Sequence, residues 1–299
     1  MACIKYSQLE VMQKMPLELK IHLSNQRIKE WYEAHNGNVY VAFSGGKDST
    51  VLLHLVRSIY PEVPAVFVDT GLEYPEIKEF VKNTANVITV RPKMNFIDVI
   101  KNYGYPAVSK KVARQVRDLR HPTDKNKATR QLYLTGIKRD GTKTKTLKLS
   151  NKWRKLIDAP FDISEQCCNV MKKEPIHRFE RERGSKGFTG IMASDSSMRE
   201  SSYLQNGCNN FKAGRSSPMG FWVEQDIWDY IKKFDLKYSK IYDMGAKRTG
   251  CMFCMFGVHL EKEPNRFQNM KRTHPQLHNY CMNQLGCKKV LDYIGVKSE

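Results

Sequence analysis

A largely apolar run, Asn38-Val39-Tyr40-Val41-Ala42-Phe43, breaks abruptly into Ser44-Gly45-Gly46-Lys47-Asp48-Ser49, and no other feature restricts the fold of this chain so tightly. The run reads as a strand buried on both faces. The residues after it, STVLLHLVRSI at 49–59, place Val51, Leu52, Leu55, Val56 and Ile59 on one broad helical face. A second strand, Ala65-Val66-Phe67-Val68-Asp69, stops at Thr70-Gly71. A helix from Pro75 to Ala85 leads to a third strand, Val87–Val90. Strand, helix, strand, helix, strand at this spacing predicts an α/β fold with a parallel sheet, right-handed crossovers and helices on both faces. Ligands of such sheets sit beyond the carboxyl ends of the strands, where both Gly-containing loops fall.

The rest of the chain is read around that core. Residues 8–35 carry an apolar helical stripe, Leu9, Met12, Met15, Leu17, Leu19, Ile21, then Ile28, Trp31 and Tyr32. The βα rhythm stops after about residue 107 and resumes at Gly187–Met192. An amphipathic helix follows at 224–234, and a short helix at 289–294 closes the chain. The expected organisation is an N-terminal helical segment (1–37), a nucleotide-binding half (38–107), a basic insertion (108–156), a second half of the core bearing cysteines (157–260) and a helical tail (261–299).

Charge is concentrated. The 299 residues carry a formal net charge of +19, and residues 110–155 alone hold 16 Lys+Arg against three Asp. One reading is a solvated, partly mobile insertion. The other is a surface that neutralises the phosphates of DNA or RNA through Lys110, Lys111, Arg114, Arg117, Lys138, Arg139, Lys143 and Lys145. No apolar run approaches the ~20 residues of a membrane span, and the N-terminus lacks the apolar core of a secretory signal. Eight cysteines in such a chain read as thiols or metal ligands in a reducing, cytoplasmic setting rather than as a disulfide scaffold.

The loop 44–49 has the chemistry of an anion cradle. Two glycines let the backbone turn and present its N–H groups, and the following helix adds its N-terminal donors and dipole. Ser44 and Ser49 add hydroxyls, and Lys47 a cation. It is not a Walker A loop, because position 41 is Val. Among the cysteines, Cys167-Cys168 and Cys251-x-x-Cys254 stand out. The second pair is a half-site for zinc or iron–sulfur, and soft thiolates favour those metals over magnesium. Free or redox thiols are the remaining alternative. Cys3, Cys208, Cys281 and Cys287 lack partners at ligand spacing and read as small buried thiols. His259, His274 and His278 read as surface or packing residues.

These motifs resemble a known family. SGGKDS after an apolar strand is similar to the loop of the PP-loop ATP pyrophosphatases. Phe67-Val68-Asp69-Thr70-Gly71-Leu72-Glu73-Tyr74-Pro75 resembles the second motif of their 3′-phosphoadenylylsulfate (PAPS) reductase branch, and Gly190–Glu200 its later Gly…Ser-x-x-Arg segment. The resemblance implies that Ser44, Gly45, Gly46, Asp48 and Ser49 bind nucleotide phosphates with Lys47 beside them. It implies that Asp69, Thr70 and Gly71 border the nucleotide, and that Arg199 holds an anionic group, against the alternative of an ion pair with Asp195 or Glu200. Catalysis would then fall to Lys47, Asp48 and Arg199. Cys167, Cys168, Cys251 and Cys254, with Lys172-Lys173-Glu174-Pro175 after the first pair, resemble the set that holds a [4Fe-4S] cluster in iron–sulfur sulfonucleotide reductases.

Two departures matter. The phosphate loop is intact, as in members that use ATP itself. The C-terminal Glu-Cys-Gly-x-His motif of the reductases is missing: Cys281 lies in Asn-Tyr-Cys-Met and Cys287 in Leu-Gly-Cys-Lys. The resemblance therefore implies an ATP- and Mg²⁺-dependent enzyme of sulfur chemistry that adenylates and thiolates a nucleic acid, with a sulfur donor such as a cysteine desulfurase. A PAPS or adenylylsulfate reductase and a nucleotide-dependent nucleic-acid-binding module are the alternatives.

Overall fold

A computed structural model of the chain describes residues 4–299. The strands are β1 (Val39–Ala42), β2 (Ala65–Val68), β3 (Val87–Val90), β4 (Ala107–Val108), β5 (Lys186–Phe188), β6 (Asn209–Asn210), β7 (Arg215–Ser216) and β8 (Met255–Phe256). The helices are α1 (Tyr6–Gln13), α2 (Leu17–Ala34), α3 (Lys47–Arg57), α4 (Pro75–Lys82), α5 (Phe96–Tyr103), α6 (Lys110–Arg120), α7 (Lys127–Thr135), α8 (Glu174–Arg183), α9 (Ser197–Asn206), α10 (Glu224–Lys233), α11 (Arg266–Thr273), α12 (Pro275–Asn279) and α13 (Cys287–Ile294). No helix among them is long and apolar enough to cross a membrane.

The chain divides into two compact units. The first comprises the residues up to Asp69, Glu73–Arg91 and Pro175–Thr249. The second comprises Thr70–Leu72, Pro92–Glu174 and Gly250–Glu299. The boundaries expected at 107/108 and 156/157 do not coincide with these, because the chain passes between the units several times.

The first unit is built on a six-stranded sheet in the order β3-β2-β1-β5-β7-β6, parallel except for the β6–β7 pair. Alternation along the strands sends Val39, Val41, Phe43, Ala65 and Phe67 to one face and Tyr40 and Val66 to the other. The first face packs on Leu52, Leu55 and Val56 of α3, Ile28 and Trp31 of α2, and Ile227 and Tyr230 of α10. The second packs on Phe179 of α8. Helices therefore cover both faces, and the expected parallel α/β class holds. The helix expected over 8–35 is two helices. Pro16 stands at the boundary, where it has no N–H to continue the first and supplies the N-cap of the second. The buried pair Lys20–Asp226, 2.6 Å apart, ties α2 to α10.

The second unit contains the two-stranded parallel sheet β4–β8. The basic stretch 110–155 belongs to it and is not merely a solvated insertion. Ala113, Val116 and Leu119 of α6 are buried, as are Leu149, Trp153 and Leu156. Lys110, Lys111, Arg114, Lys138, Arg139, Lys143 and Lys145 remain exposed.

Candidate functional site

The loop 44–49 leaves β1 at its carboxyl end and enters α3. Gly45 has φ +72°, and a Cβ there would meet Val81 and Ile77 of α4 at 2.8 and 2.9 Å, so no larger residue fits. Ser49 braces the turn: its Oγ donates to the Gly46 carbonyl (2.9 Å) and accepts from the Ser44 N–H (3.2 Å). The Thr50 hydroxyl donates to the same carbonyl at 3.0 Å. Both cradle serines are thus engaged in shaping the loop.

Lys47 is almost wholly buried, with its ammonium 2.9 Å from Asp48 Oδ1 and 3.2 Å from Glu224 Oε1. Burial alone would lower its pKa, but those carboxylates outweigh burial and raise it. Burial pushes the Asp48 carboxyl up; Lys47 opposes the shift, and Asp195 and Glu224 add to it. Lys47, Asp48, Asp195 and Glu224 therefore form one electrostatic group at the start of α3. Arg199 reaches this group indirectly. It is half exposed and ion-paired with Asp195, one of the two acidic neighbours expected to compete for it. Asp69, at the end of β2, is paired with Lys78 (3.1 Å) and Arg91 (3.2 Å). Thr70 is buried and its hydroxyl accepts from the Leu72 N–H at 3.2 Å, while Gly71 takes φ +77° with open space at its Cβ position.

Sequence reasoning missed two residues at the loop. The Lys47 N–H donates to Tyr242 Oη at 2.8 Å, and that hydroxyl lies 3.2 Å from Thr249 Oγ1. No local pattern signals a contact across 195 residues.

The four expected ligand thiols all belong to the second unit. Burial pushes the Cys167 thiol up, and the nearby thiols of Cys251, Cys168 and Cys254 push it further. Burial likewise raises Cys254 to about 11, with Cys251 and Cys168 contributing. The four sulfurs are thus gathered within electrostatic reach of one another. Among the described residues no three His, Cys, Asp or Glu side chains stand at metal-ligand spacing. In number and softness the four thiols are of the kind that ligates zinc or an iron–sulfur cluster, but only Cys167 is buried and the set does not stand at ligand spacing. Beside it, Glu165 accepts from Arg117 Nη1 (2.6 Å) and Arg114 Nε (3.4 Å), while its second oxygen is buried with no hydrogen-bond partner. Arg117 is consequently half-buried in ion pairs with Asp118 and Glu165. Of the eight basic residues expected to meet phosphates, it is the least free to do so.

Cys281 and Cys287 do have a partner, namely each other. Both are fully buried, and their mutual hydrogen bond together with burial drives the Cys281 thiol far up. Cys208 is buried beside Tyr203 Oη (4.0 Å) and the Pro218 carbonyl (3.9 Å), in a packing role. Cys3 lies outside the described residues. His278 is buried against the Ser298 carbonyl, and His259 packs edge-on to Trp153.

A parallel α/β sheet whose first strand ends in a Gly-rich loop, with its neighbouring strand end close by in the chain, defines a class of proteins that take ligands at the carboxyl edge of the sheet. More narrowly, the chain belongs to the phosphoadenosine phosphosulfate reductase domain family, whose model matches residues 38–150 and 124–256. It is 24% identical over 255 residues to an adenosine 5′-phosphosulfate reductase of Staphylococcus haemolyticus, covering 84% of this chain and 85% of that one. It is 27% identical to a phosphoadenosine 5′-phosphosulfate reductase of Xylella fastidiosa, covering 77% and 78%. An uncharacterised protein of Methanocaldococcus jannaschii is 25% identical over 84% of this chain, which spans only 49% of that protein's length. Among solved structures, a PAPS reductase from Candida auris aligns over 83% of this chain and 96% of its own, with 17% identity and a TM-score of 0.45. A U34-tRNA thiolase from Methanococcus maripaludis, solved with its [4Fe-4S] cluster, aligns over 94% and 83%, with 15% identity and a TM-score of 0.38.

Proposed function

We propose that this protein is an ATP-dependent sulfur-transfer enzyme that adenylates an oxygen on a nucleic acid and replaces it with sulfur. The observation that carries the reading is that the four gathered thiols and the exposed basic residues share one unit. That unit holds 27 Lys+Arg against 12 Asp+Glu, or +15 of the total +19. A surface of that charge favours a polymer of phosphates over a small sulfonucleotide.

In this reading Ser44, Gly45, Gly46, Asp48 and Ser49 receive the phosphates of ATP, with Lys47 beside them and Asp69, Thr70 and Gly71 bordering the nucleotide. The acceptor oxygen attacks the α-phosphorus, its bond to pyrophosphate breaks, and the loop N–H groups stabilise the leaving charge. Asp48 would hold Mg²⁺, which neutralises phosphate charge. Sulfide then displaces AMP, which leaves with the acceptor oxygen; where the donor is a cysteine desulfurase, its persulfide sulfur is first released as sulfide by a two-electron thiol reductant. Arg199 holds an anionic group of the substrate once released from Asp195. Cys167, Cys168, Cys251 and Cys254 would hold a [4Fe-4S] cluster, which when bound supplies a site for binding or relaying sulfide. The exposed residues Lys110, Lys111, Arg114, Lys138, Arg139, Lys143 and Lys145 would contact backbone phosphates, with Arg117 fixing α6 to Glu165.

The relatives named as reductases support a second reading, reduction of PAPS or adenylylsulfate. A reductase of that kind needs a reachable nucleophilic thiol, and Cys281 and Cys287 are fully buried. Calorimetric titration with ATP and with PAPS separates the two. Tight binding of PAPS without binding of ATP would overturn the ATP reading.

A further inference from the structure

The first N–H groups of a helix have no partner within it and are the donors an anion would take. At α3 the N-cap is Gly46, which has no side chain to cap them. The Lys47 N–H is nevertheless satisfied, by Tyr242 Oη at 2.8 Å. A Cβ built on Gly46 would lie 2.5 Å from Thr249 Oγ1, 3.2 Å from Tyr242 Oη and 3.3 Å from Ser44 Oγ. Three neutral hydroxyl oxygens therefore crowd the point at which the cradle would receive an anion.

Tyr242 is not a stray side chain. Its ring packs edge-on against Trp228 (5.7 Å) and lies near Tyr238 (6.2 Å), and Tyr238 is itself anchored by a 3.0 Å hydrogen bond to Asp243. Burial raises the Tyr242 phenol, so it stays neutral at ordinary pH. Trp228 also lies 6.0 Å from the Lys47 ammonium, which Glu224 holds from the same helix. The backbone donor and the side-chain cation of Lys47 are thus both occupied by groups of the 224–249 stretch.

We infer that Tyr242, supported by Thr249, is a positioning residue that occupies a phosphate seat of the loop and sets how tightly that seat takes a phosphate. The inference rests on the nucleotide reading of the loop. A phosphate oxygen is charged and accepts a hydrogen bond more strongly than a phenol, so it can replace Tyr242 at the Lys47 N–H. The energy of the phenol contact is then subtracted from binding. Tyr242→Phe removes the competing acceptor and keeps the ring packing.

The test is calorimetric titration of the full chain with inorganic pyrophosphate and with ATP. Tyr242→Phe should bind both about tenfold more tightly than the wild type, since an N–H left without its partner gains more from the phosphate. Thr249→Val should shift affinity in the same direction by less, and serves if Tyr242→Phe folds poorly. A residue important only for packing would lower the melting temperature and weaken binding. Equal or weaker binding by both variants, with ATP still bound by the wild type and lost on Ser49→Ala, would overturn the inference and leave the nucleotide reading intact. If no form binds either anion, the nucleotide reading itself falls, and the inference with it.

Discussion

The two units differ in how their charge is disposed. The first holds 23 Lys+Arg against 19 Asp+Glu, and the second 27 against 12. In the first, the charges near the loop are paired, and Lys47 is buried: Lys47 with Asp48 and Glu224, Arg199 with Asp195, Asp69 with Lys78 and Arg91. In the second, most of the basic residues are exposed, while Cys167 is buried and Cys168, Cys251 and Cys254 are half-buried. Pairing fixes geometry, which positions a small ligand. Unpaired surface charge gives long-range attraction, which suits a polyanion. Under the proposed function, the nucleotide phosphates would fall to the first unit, and the polymer and the sulfur chemistry to the second.

That assignment can be broken by substitutions confined to one unit. The largest effect is expected from Cys251→Ser. Anaerobically purified wild type should be brown and contain iron and acid-labile sulfide in equal amounts, and the variant should lose both while binding ATP unchanged. Colourless wild-type protein holding a single zinc would refute the cluster. Next, neutralising Lys138, Arg139, Lys143 and Lys145 together should flatten the log–log salt dependence of nucleic-acid binding by about 2.8 to 3.6, at ~0.7–0.9 per phosphate contact. ATP affinity should again be unchanged, and an unaltered salt slope would return this surface to a solvated face. Within the first unit, Asp226→Ala strands the buried Lys20 ammonium and should cost about 3–5 kcal/mol in denaturant unfolding. A loss below about 1 kcal/mol would show that water reaches the pair.

The smallest effect concerns pH. Burial lowers the pKa of His54, whose Nδ1 lies 2.8 Å from Tyr230 Oη. A group whose folded pKa is depressed adds stability above its unfolded value, near 6.5, and loses it as pH falls through the folded value. Melting temperature should therefore fall as the pH drops below about 6.5, and His54→Asn should remove that part of the slope. An identical slope in the variant would assign the effect to other groups.

The β1–loop–α3 unit was legible because its signals are local: an apolar run, two glycines and a helical stripe. The parallel class followed from the same rhythm. The interruption at Pro16 was also written in the sequence, and the continuous stripe across it concealed the break. The buried face of α6 had a signal too, Ala113, Val116 and Leu119 at helical spacing, hidden by the arginines and lysines between them. Other features had none. Tyr242 reaches Lys47 from 195 residues away in the chain, and Cys281 lies beside Cys287 across the turn at Gly286. The two-unit division could not be read as linear boundaries, since each unit is assembled from separate stretches.

The most direct test of the central claim is pyrophosphate release from ATP by anaerobically purified protein, measured with and without RNA or DNA. The account predicts release that depends on Lys47 and is stimulated by nucleic acid. No release under either condition, with sulfite formed instead from PAPS or adenylylsulfate, would contradict it.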